Sequence, residues 1–375
     1  MPVAALNDVV QAAASARRAG ASTLATSDSA PSSPETPVTP SLATFARLAR
    51  HNTPWPFGVA ELARRSLVAE YASLTRDGRP VTWAVTPFLG PDATTVDVST
   101  GLTYPAKAER ARRDPRVSLL FSSPVGSGLT GPPVVLVQGL ATVRDADLQG
   151  NLDRYLAETR AKTPTTYRGV PPFLLRQLDW YLARIWVQVT PLRVLVWHGG
   201  RLDQEPERWQ AGPSVTAPAS DPAPHGSALP SRTVPPSDWR PFADRADRLG
   251  PPVLTVTGAD GWPLPVRTRA AERTDDGYLL TPPAGVDLPA GPACLTAHRH
   301  SPTLDSQENV VMVGQAEPAD DGRVHLRIDR ALTDWSLTGR RLSRTMGFMA
   351  NGKTLRPRLE AEAARRGQPA PTVRI

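Results

Sequence analysis

The chain has 375 residues and a net charge of +7 at pH 7, with 40% hydrophobic and 21% charged residues. This length allows two domains of ordinary size, while 41 prolines indicate that part of the chain is linker. No run of about 20 apolar residues is present, which excludes a membrane-spanning helix, and the single Cys294 excludes an intrachain disulfide. The first residues contain no apolar segment typical of a signal peptide, so we expect a cytoplasmic protein.

The basic charge by itself favours a nucleic-acid partner, but its distribution does not. Of the 43 basic residues only three are lysines, Lys107, Lys162 and Lys353, and the arginines are spread along the whole chain. Guanidinium groups spread in this way are typical of a solvated surface, and the composition is typical of GC-rich codons. We therefore expect neither a nucleic-acid nor a membrane partner.

The chain begins with a segment that lacks the apolar residues needed for a core. Residues 1–41 are largely Ser, Thr, Pro and Ala, which predicts a disordered tail. Apolar residues at helical spacing predict that order begins with a helix at 42–52. From there to residue 211 the pattern predicts the order β-β-β-α-β-β-α-β-β, with the first hairpin turning at Asp77-Gly78, a dipeptide favoured in such turns.

A second segment rich in Pro, Ser and Ala, residues 212–236, predicts an extended linker. The part after it, residues 237–375, repeats pieces of the first part in the same order. TRDGRPV has a counterpart in GADGWPL, VDVST in GYLLT, and VVLVQGLA in NVVMVGQA. Repetition in order predicts a tandem duplication, with 42–211 and 237–375 as its two domains and a charged helix at the C-terminus.

The first part resembles the FMN-binding split β-barrel family, which includes pyridoxamine 5'-phosphate oxidases and F420-dependent oxidoreductases. The resemblance is carried by DGRPVTWAVTP, VDVST, YPAKAERARRDPRVSLLF and VVLVQGLATV, in this order. It extends over residues 42–209, and over the second part only in outline. The fold class it implies is mainly β, with peripheral helices and two tandem split β-barrels, the second of them degenerate.

The resemblance also implies a site for a phosphorylated flavin or deazaflavin. Cations, hydroxyl groups and helix N-termini bind a phosphate group. Ser99 and Thr100 end a strand and would supply hydroxyl groups, while Lys107 opens a helix and would supply an ammonium group. The strand from Arg79 to Val85 would run along the flavin ring. The residues expected at the cofactor are Arg79, Val81, Thr82, Trp83, Ser99, Thr100, Lys107 and Arg110.

The sequence departs from the family pattern on both sides of Lys107. Pro105-Ala106 replaces a common Ser-Arg, and Arg110 replaces an Asn, so a hydroxyl group is lost and a charge is gained. The sequence therefore does not distinguish FMN from F420 as the cofactor, and haem is a third, less favoured candidate. The corresponding segment of the second part, residues 281–302, contains no lysine, so we expect that this copy has lost its phosphate site.

Other residues have structural interpretations. His298 and His300 alternate along a strand and share a face, but no acidic or Cys partner accompanies them, so we expect no metal site. Arg112 and Arg113 are expected on a solvated helix face. The chain contains no G-x-S-x-G motif and no G-x-G-x-x-G motif at a β-α junction, which argues against a hydrolase and against a dinucleotide-binding fold.

From these features we expect an oxidoreductase that depends on FMN or F420 and acts on an unidentified small molecule, without a catalytic side chain of its own. The alternative is a non-catalytic flavin, F420 or haem carrier on the same scaffold, and the weakest is a protein associated with nucleic acid. The second barrel would serve as the internal partner of the first, or the chain would form a homodimer.

Overall fold

The computed structural model describes residues 55–56, 58–164, 171–228, 238–336 and 341–374. The predicted disordered tail and the predicted helix at 42–52 lie outside these residues. No helix in the described ranges is long and apolar enough to cross a membrane.

The first half of the chain forms one antiparallel sheet of eight strands. Its order is β2-β1-β5-β6-β7-β4-β3, and β8 pairs with β7. The strands are β1 (Ala69–Leu74), β2 (Pro80–Val85), β3 (Pro87–Leu89), β4 (Val96–Gly101), β5 (Arg116–Phe121), β6 (Val134–Arg144), β7 (Arg184–Trp197) and β8 (Glu207–Gln210). The accompanying helices are α1 (Val59–Arg65), α2 (Ala106–Arg113), α3 (Leu148–Lys162), α4 (Pro172–Leu175) and α5 (Asp179–Leu182).

Besides the short elements α1, α4, α5 and β8, which the predicted order does not include, two predicted strand segments differ in the structure. The segment predicted as one strand after the first hairpin is divided at Thr86 into β2 and β3. The predicted closing pair of strands is instead the single strand β7. Pro191 lies within β7, and the strand passes through it because the ladder with β6 shifts register at Gln138/Gly139, where an irregular ladder tolerates a residue without an N–H group.

The second half forms a sheet of seven antiparallel strands in the order β10-β9-β13-β14-β15-β12-β11. The strands are β9 (Val253–Thr257), β10 (Pro263–Arg267), β11 (Ala270–Arg273), β12 (Gly277–Thr281), β13 (Gly291–His300), β14 (Gln307–Pro318) and β15 (Val324–Ser336). Helix α6 (Arg240–Ala246) precedes them, and helix α7 (Arg341–Arg365) follows them.

Apart from β8, the two sheets have the same strand order, position by position. They also share a local irregularity, because the register shifts at Gln138/Gly139 in one and at Val313/Gly314 in the other. A Cβ atom on Gly139 would lie 2.3 Å from the carbonyl oxygen of Thr190, and one on Gly314 would lie 1.8 Å from that of Arg327. The glycine repeated in the sequence is therefore required by the same bulge in both sheets. The predicted fold class, mainly β with two tandem split barrels, is confirmed.

The two barrels pack against each other, and this explains the uninterrupted apolar run of β6. Val135 and Val137 face the core of the first barrel, whereas Leu136 lies in a separate cluster that includes Val253 of the second barrel. Alternate residues of one strand are thus buried against different barrels. A strand buried on both faces has no polar face, so its residues read as a continuous apolar run.

Both the segment before the second barrel and the helix after it lie on the first barrel. In the segment predicted as a linker, Asp221 accepts hydrogen bonds from the backbone N–H groups of Asp145 (2.7 Å) and Ala146 (2.8 Å). On α7, Leu355 and Leu359 belong to the core of the first barrel. The second barrel is therefore held to the first from both of its ends.

Candidate functional site

The predicted lysine lies where the end of a strand, a short loop and a helix come together. Lys107 is the second residue of α2, which begins shortly after β4 ends at Gly101. Its side chain reaches over the indole of Trp83, with Nζ 6.0 Å from the ring centroid. Lys107 is half-buried, and its Nζ has no hydrogen bond or ion pair to any residue that the structure describes. The ammonium group is therefore enclosed without a counter-charge from these residues.

Two arginines add positive charge around Lys107. Burial, together with the charges of Arg110 and Arg184, lowers the pKa of Lys107 to about 7. Arg110 is on the same helix, and its pKa is also lowered, chiefly by burial and in part by Arg113. Lys107 is in the first turn of α2, where the helix dipole adds to these charges, so the cluster is a region of strong positive potential that a bound anion would relieve.

The neighbouring strands present a polar face to this cluster. Arg110 Nε donates to Ser73 Oγ at 3.0 Å. Ser73 pairs across the ladder with Val81, and Tyr71 pairs with Trp83, so these four side chains share one face. The hydroxyl group of Tyr71 is fully buried and has no hydrogen-bond partner in the described part of the chain, and burial raises its pKa well above the usual range. An unsatisfied buried hydroxyl group close to Arg110 is a polar group that a ligand or water could satisfy.

Arg184 belongs to this cluster, although it was not among the predicted residues. It is buried and lies opposite Gly101 at the end of β4. Its guanidinium donates to Tyr155 Oη at 3.1 Å and stacks on the rings of Tyr155 (4.3 Å) and Tyr181 (4.6 Å). The signal in the sequence is an arginine directly before the apolar run of β7, but its partners lie on α3 and α5, which sequence spacing does not bring together.

The two hydroxyl residues at the end of β4 have different surroundings. Thr100 is buried, and its Oγ1 donates to the carbonyl oxygen of Tyr104 at 3.0 Å, within the loop that leads to α2. Ser99 is half-buried and pairs with Trp186 of β7. Thr100 therefore stabilises the loop that positions Lys107. For both residues, contact with a cofactor stays a prediction.

Thr82 faces away from Lys107, toward the second barrel. Its N–H group donates to Cys294 Sγ at 3.4 Å, and its carbonyl oxygen accepts from Thr296 Oγ1 at 3.1 Å. Its own Oγ1 lies 2.6 Å from that of Thr255. The structure therefore brings Val81 and Trp83 to the cation cluster, whereas every polar group of Thr82 is already bonded to the other barrel.

The remaining predicted cation is at the tip of the first hairpin. Arg79 forms an exposed ion pair with Asp77, with Nε and Oδ2 2.8 Å apart. Of the two arginines expected on a solvated helix face, Arg113 is exposed, as expected, whereas Arg112 is largely buried. Arg112 forms an ion pair with the buried Asp145 at 2.7 Å, and Arg113 donates to the carbonyl oxygen of Leu74 at 3.3 Å.

The two histidines share a face, as predicted, with their rings stacked and the centroids 6.4 Å apart. The expectation that no acidic residue accompanies them is wrong. Glu70 of the first barrel is fully buried, and its Oε1 lies 2.6 Å from His298 Nε2 and 2.7 Å from Arg267 Nη2. Glu70 and His298 are 228 positions apart in the sequence. Their contact is therefore evident only when the packing of the two barrels is known. Among the described residues, no group of three potential metal ligands is present.

No protein-family model and no curated protein matches this sequence. Several solved structures do. The chain is similar to split-barrel proteins. A conserved hypothetical protein, Rv2991 of Mycobacterium tuberculosis, is 19% identical, with 42% of this chain and 91% of that chain covered and a TM-score of 0.30. A protein described as an F420 reductase is 19% identical, with 37% and 98% covered and a TM-score of 0.28.

A third similar structure is a protein of the pyridoxinephosphate oxidase family from Clostridium acetobutylicum. It is 11% identical, with 40% of this chain and 91% of that chain covered and a TM-score of 0.29. Since all three TM-scores are below 0.5, the description of the fold depends on the strand order and not on these proteins. Each of them corresponds in length to less than half of this chain.

Proposed function

We propose that this protein is an oxidoreductase that binds a phosphorylated flavin or deazaflavin, FMN or F420, in its first barrel and acts on a small molecule in the cytoplasm. The observation that carries the proposal is the enclosed ammonium group of Lys107, which lies beside Arg110 and Arg184 and has no counter-charge among the described residues. A phosphate group would supply the missing charge. The resemblance of this segment to flavin-binding split barrels supports the same assignment.

The residues at the cluster fit such a group. Lys107, in the first turn of α2, and Arg110, in its last turn, would hold the phosphate, and the buried hydroxyl group of Tyr71 would gain a partner. Trp83 would lie at the edge of the ring, and Arg79, Val81, Ser99 and Thr100 are the further expected contacts. When bound, the cofactor supplies the hydride or electron transfer, while the protein binds it, orients it and keeps water away.

The second barrel lacks the lysine and the helix that follows it, so one cofactor per chain is expected. In this proposal the second barrel acts as the internal partner of the first, and its Cys294 and Thr296 hold the strand that carries Trp83. A homodimer of the whole chain is the other arrangement. Mass measurement in solution distinguishes a monomer with one cofactor from a dimer with two.

The test compares Lys107 with Lys162, because both are enclosed lysines with a pKa lowered to about 7. They differ in their contacts, since Lys162 Nζ donates to the carbonyl oxygens of Ala63 (3.1 Å) and Pro87 (2.5 Å). We expect Lys107→Met to weaken FMN or F420 binding by about tenfold to a hundredfold, and Lys162→Met to leave it unchanged. Riboflavin, which has no phosphate, should bind both variants equally.

Two results would contradict the proposal. One is a protein that is colourless when purified and takes up neither FMN nor F420. The other is equal binding of FMN by the Lys107→Met variant and the unmodified protein.

A carrier without catalytic activity is the second candidate, and one observation favours it. Around Lys107 the described residues are cations and a phenol of raised pKa, with no carboxylate to transfer a proton to a substrate. Consumption of NAD(P)H by the loaded protein would support the enzyme. A Soret band in the purified protein would instead support a haem carrier.

A further inference from the structure

A serine of the first barrel and a histidine of the second form a hydrogen bond across the junction of the barrels. Ser123 follows the end of β5, and His300 is the last residue of β13. Ser123 Oγ and His300 Nε2 are 3.1 Å apart, although the two residues are separated by 177 positions in the sequence. Because the residues come from different barrels, no short sequence motif could reveal this pair.

The hydrogen bonds of the imidazole show which partner donates. His300 Nδ1 lies 3.0 Å from the carbonyl oxygen of Ser301, and a carbonyl oxygen can only accept, so Nδ1 carries the proton. In the neutral ring Nε2 is then an acceptor, and the hydroxyl group of Ser123 donates to it. Burial lowers the pKa of His300, so the ring is neutral at pH 7. The imidazole is therefore both placed and protonated as a general base for Ser123.

The carbonyl group that orients the imidazole belongs to a tight turn. The N–H group of Leu304 donates to the carbonyl oxygen of Ser301 at 3.1 Å. The loop after Ser123 packs closely on this turn, since a Cβ atom on Gly126 would lie 2.5 Å from the carbonyl oxygen of Pro302. Backbone contacts thus position the pair in addition to its own hydrogen bond.

The neighbouring Ser122 differs from Ser123 in its contacts. Its Oγ donates to Glu70 Oε1 at 2.6 Å and accepts from Arg267 Nη2 at 2.6 Å, so both its proton and a lone pair are held by charged groups. In the described part of the chain, the Oγ of Ser123 bonds to His300 and to no other group. The lone pairs of Ser123 are therefore free to attack an electrophile.

The pair is at the surface of the molecule. Ser123 is half-buried, and the three residues that follow it are exposed. One of them, Val125, is among the few large apolar side chains that are exposed in the described ranges. Within these ranges no charged side chain bonds to Ser123. Such surroundings favour a small uncharged reactant with a short apolar chain.

We propose that Ser123 and His300 form a nucleophile–base pair through which this protein accepts acyl groups from small uncharged esters. Ser123 Oγ forms a bond to the carbonyl carbon of the ester, and its proton passes to His300 Nε2. The bond from that carbon to the leaving alcohol breaks, and the alcohol takes the proton from Nε2, which leaves an acyl-serine. Attack of water by the same steps releases the carboxylic acid and restores Ser123.

The test labels the full chain with an uncharged fluorophosphonate that carries a fluorescent group. The probe forms an Oγ–P bond with an activated serine and releases fluoride, and the base takes the proton. We expect labelling at Ser123, located by mass spectrometry of peptides. Ser123→Ala should abolish this labelling, and His300→Gln should slow it about a hundredfold. Thr130→Ala, which changes an exposed hydroxyl residue of the same loop, is the control and should label at the unmodified rate.

The pH dependence distinguishes a base from a hydrogen bond that only joins the barrels. Because the neutral imidazole is required, the labelling rate should rise with pH to a plateau, with its midpoint below the ordinary histidine pKa of 6.5. In His300→Gln this midpoint should disappear.

Three outcomes would overturn the proposal: no label on Ser123, labelling no faster than that of the chain unfolded in urea, or an unchanged rate in His300→Gln. Thermal unfolding of each variant confirms that it is folded before it is labelled. Lys107→Met should leave the labelling unchanged, so failure of this pair and failure of the proposed cofactor site are observed separately.

Discussion

The two barrels have the same strand order, yet they differ in the segment that follows the fourth strand of each. In the first barrel β4 leads into α2, which carries Lys107 and Arg110, whereas in the second barrel β12 leads through a loop without a helix to β13. The glycine bulge, the hairpin and the ladder are present in both. The comparison shows that the sheet and the cation cluster are separable, because the sheet persists in the copy where these cations are absent.

The largest expected effect on stability concerns the glycine at the bulge that the two barrels share. Gly139→Ala and Gly314→Ala each place a Cβ atom against a backbone carbonyl oxygen, at 2.3 Å in the first barrel and 1.8 Å in the second. Since backbone atoms move little, we expect each variant to lose about 3 kcal/mol of stability or to fail to fold. Urea unfolding measures the loss. Gly212→Ala, which meets nothing within 4 Å, is the control, and a tolerated alanine at either bulge would contradict the shared role.

The next effect concerns a position where the two barrels differ. Leu74 pairs with Pro80 in the first hairpin and Thr257 with Pro263 in the second, so Glu70 corresponds to Val253. Burial alone would raise the pKa of Glu70, but Arg267, His298 and Ser122 hold it below its usual range. Glu70→Val gives the first barrel the residue of the second, and it leaves the mostly buried side chain of Arg267 without its carboxylate partner.

We expect Glu70→Val to destabilise the protein by about 3 kcal/mol, because an unpaired buried charge costs more than the lost pair contributes. The double variant Glu70→Val with Arg267→Met should recover part of the loss, and urea unfolding of the full cycle measures the coupling between the two residues. Additive losses would mean that the pair does not couple the barrels.

The lowered pKa of Lys107 makes both cofactor binding and protein stability depend on pH. The second barrel has no lysine at the corresponding place and should not contribute to this dependence. In the folded protein the pKa is about 7, below the ordinary value of 10.5, so the neutral form predominates above pH 7. A bound phosphate favours the charged form, and binding therefore takes up a proton between these two values. The affinity for FMN should fall as the pH rises above 7, by up to about tenfold per unit.

The measurement is calorimetry in buffers of different ionisation enthalpy, which reports the proton uptake directly. In the Lys107→Met variant both the proton uptake and the pH slope should disappear. The same pKa has an effect on stability: the unfolded chain binds the proton more tightly, so stability from this group should rise from pH 7 toward 10.5, relative to the variant. If the pH dependence of FMN affinity is the same in the Lys107→Met variant, it arises from the titration of another group.

The sequence was sufficient to predict the fold because the signals that define it are local. The Asp77-Gly78 turn and the strand alternation each involve residues that are close together in the sequence, and the repeated glycine is visible when the two halves are compared. The position of Lys107 at the start of a helix was equally local and was predicted correctly. Arg184 and Glu70 were missed because their partners are brought to them only by the packing of helices and of the second barrel. Contact of Thr82 with a cofactor stays a prediction, and its bonds to the second barrel are not evident from the sequence because they depend on how the barrels pack.

The smallest effect concerns the hairpins at which the two copies are most alike in sequence. Arg79 pairs with Asp77 on the exposed surface, and Asp260 at the second turn pairs instead with Arg193 from the first barrel. Because exposed ion pairs contribute little, we expect Arg79→Gln to change the stability by less than about 1 kcal/mol. Since Arg79 is an expected cofactor contact that already pairs with Asp77, we expect Arg79→Gln to weaken FMN binding less than Lys107→Met does. A loss of FMN affinity with unchanged riboflavin affinity would place Arg79 at the phosphate, and equal affinities would restrict the phosphate contacts to the cluster around Lys107.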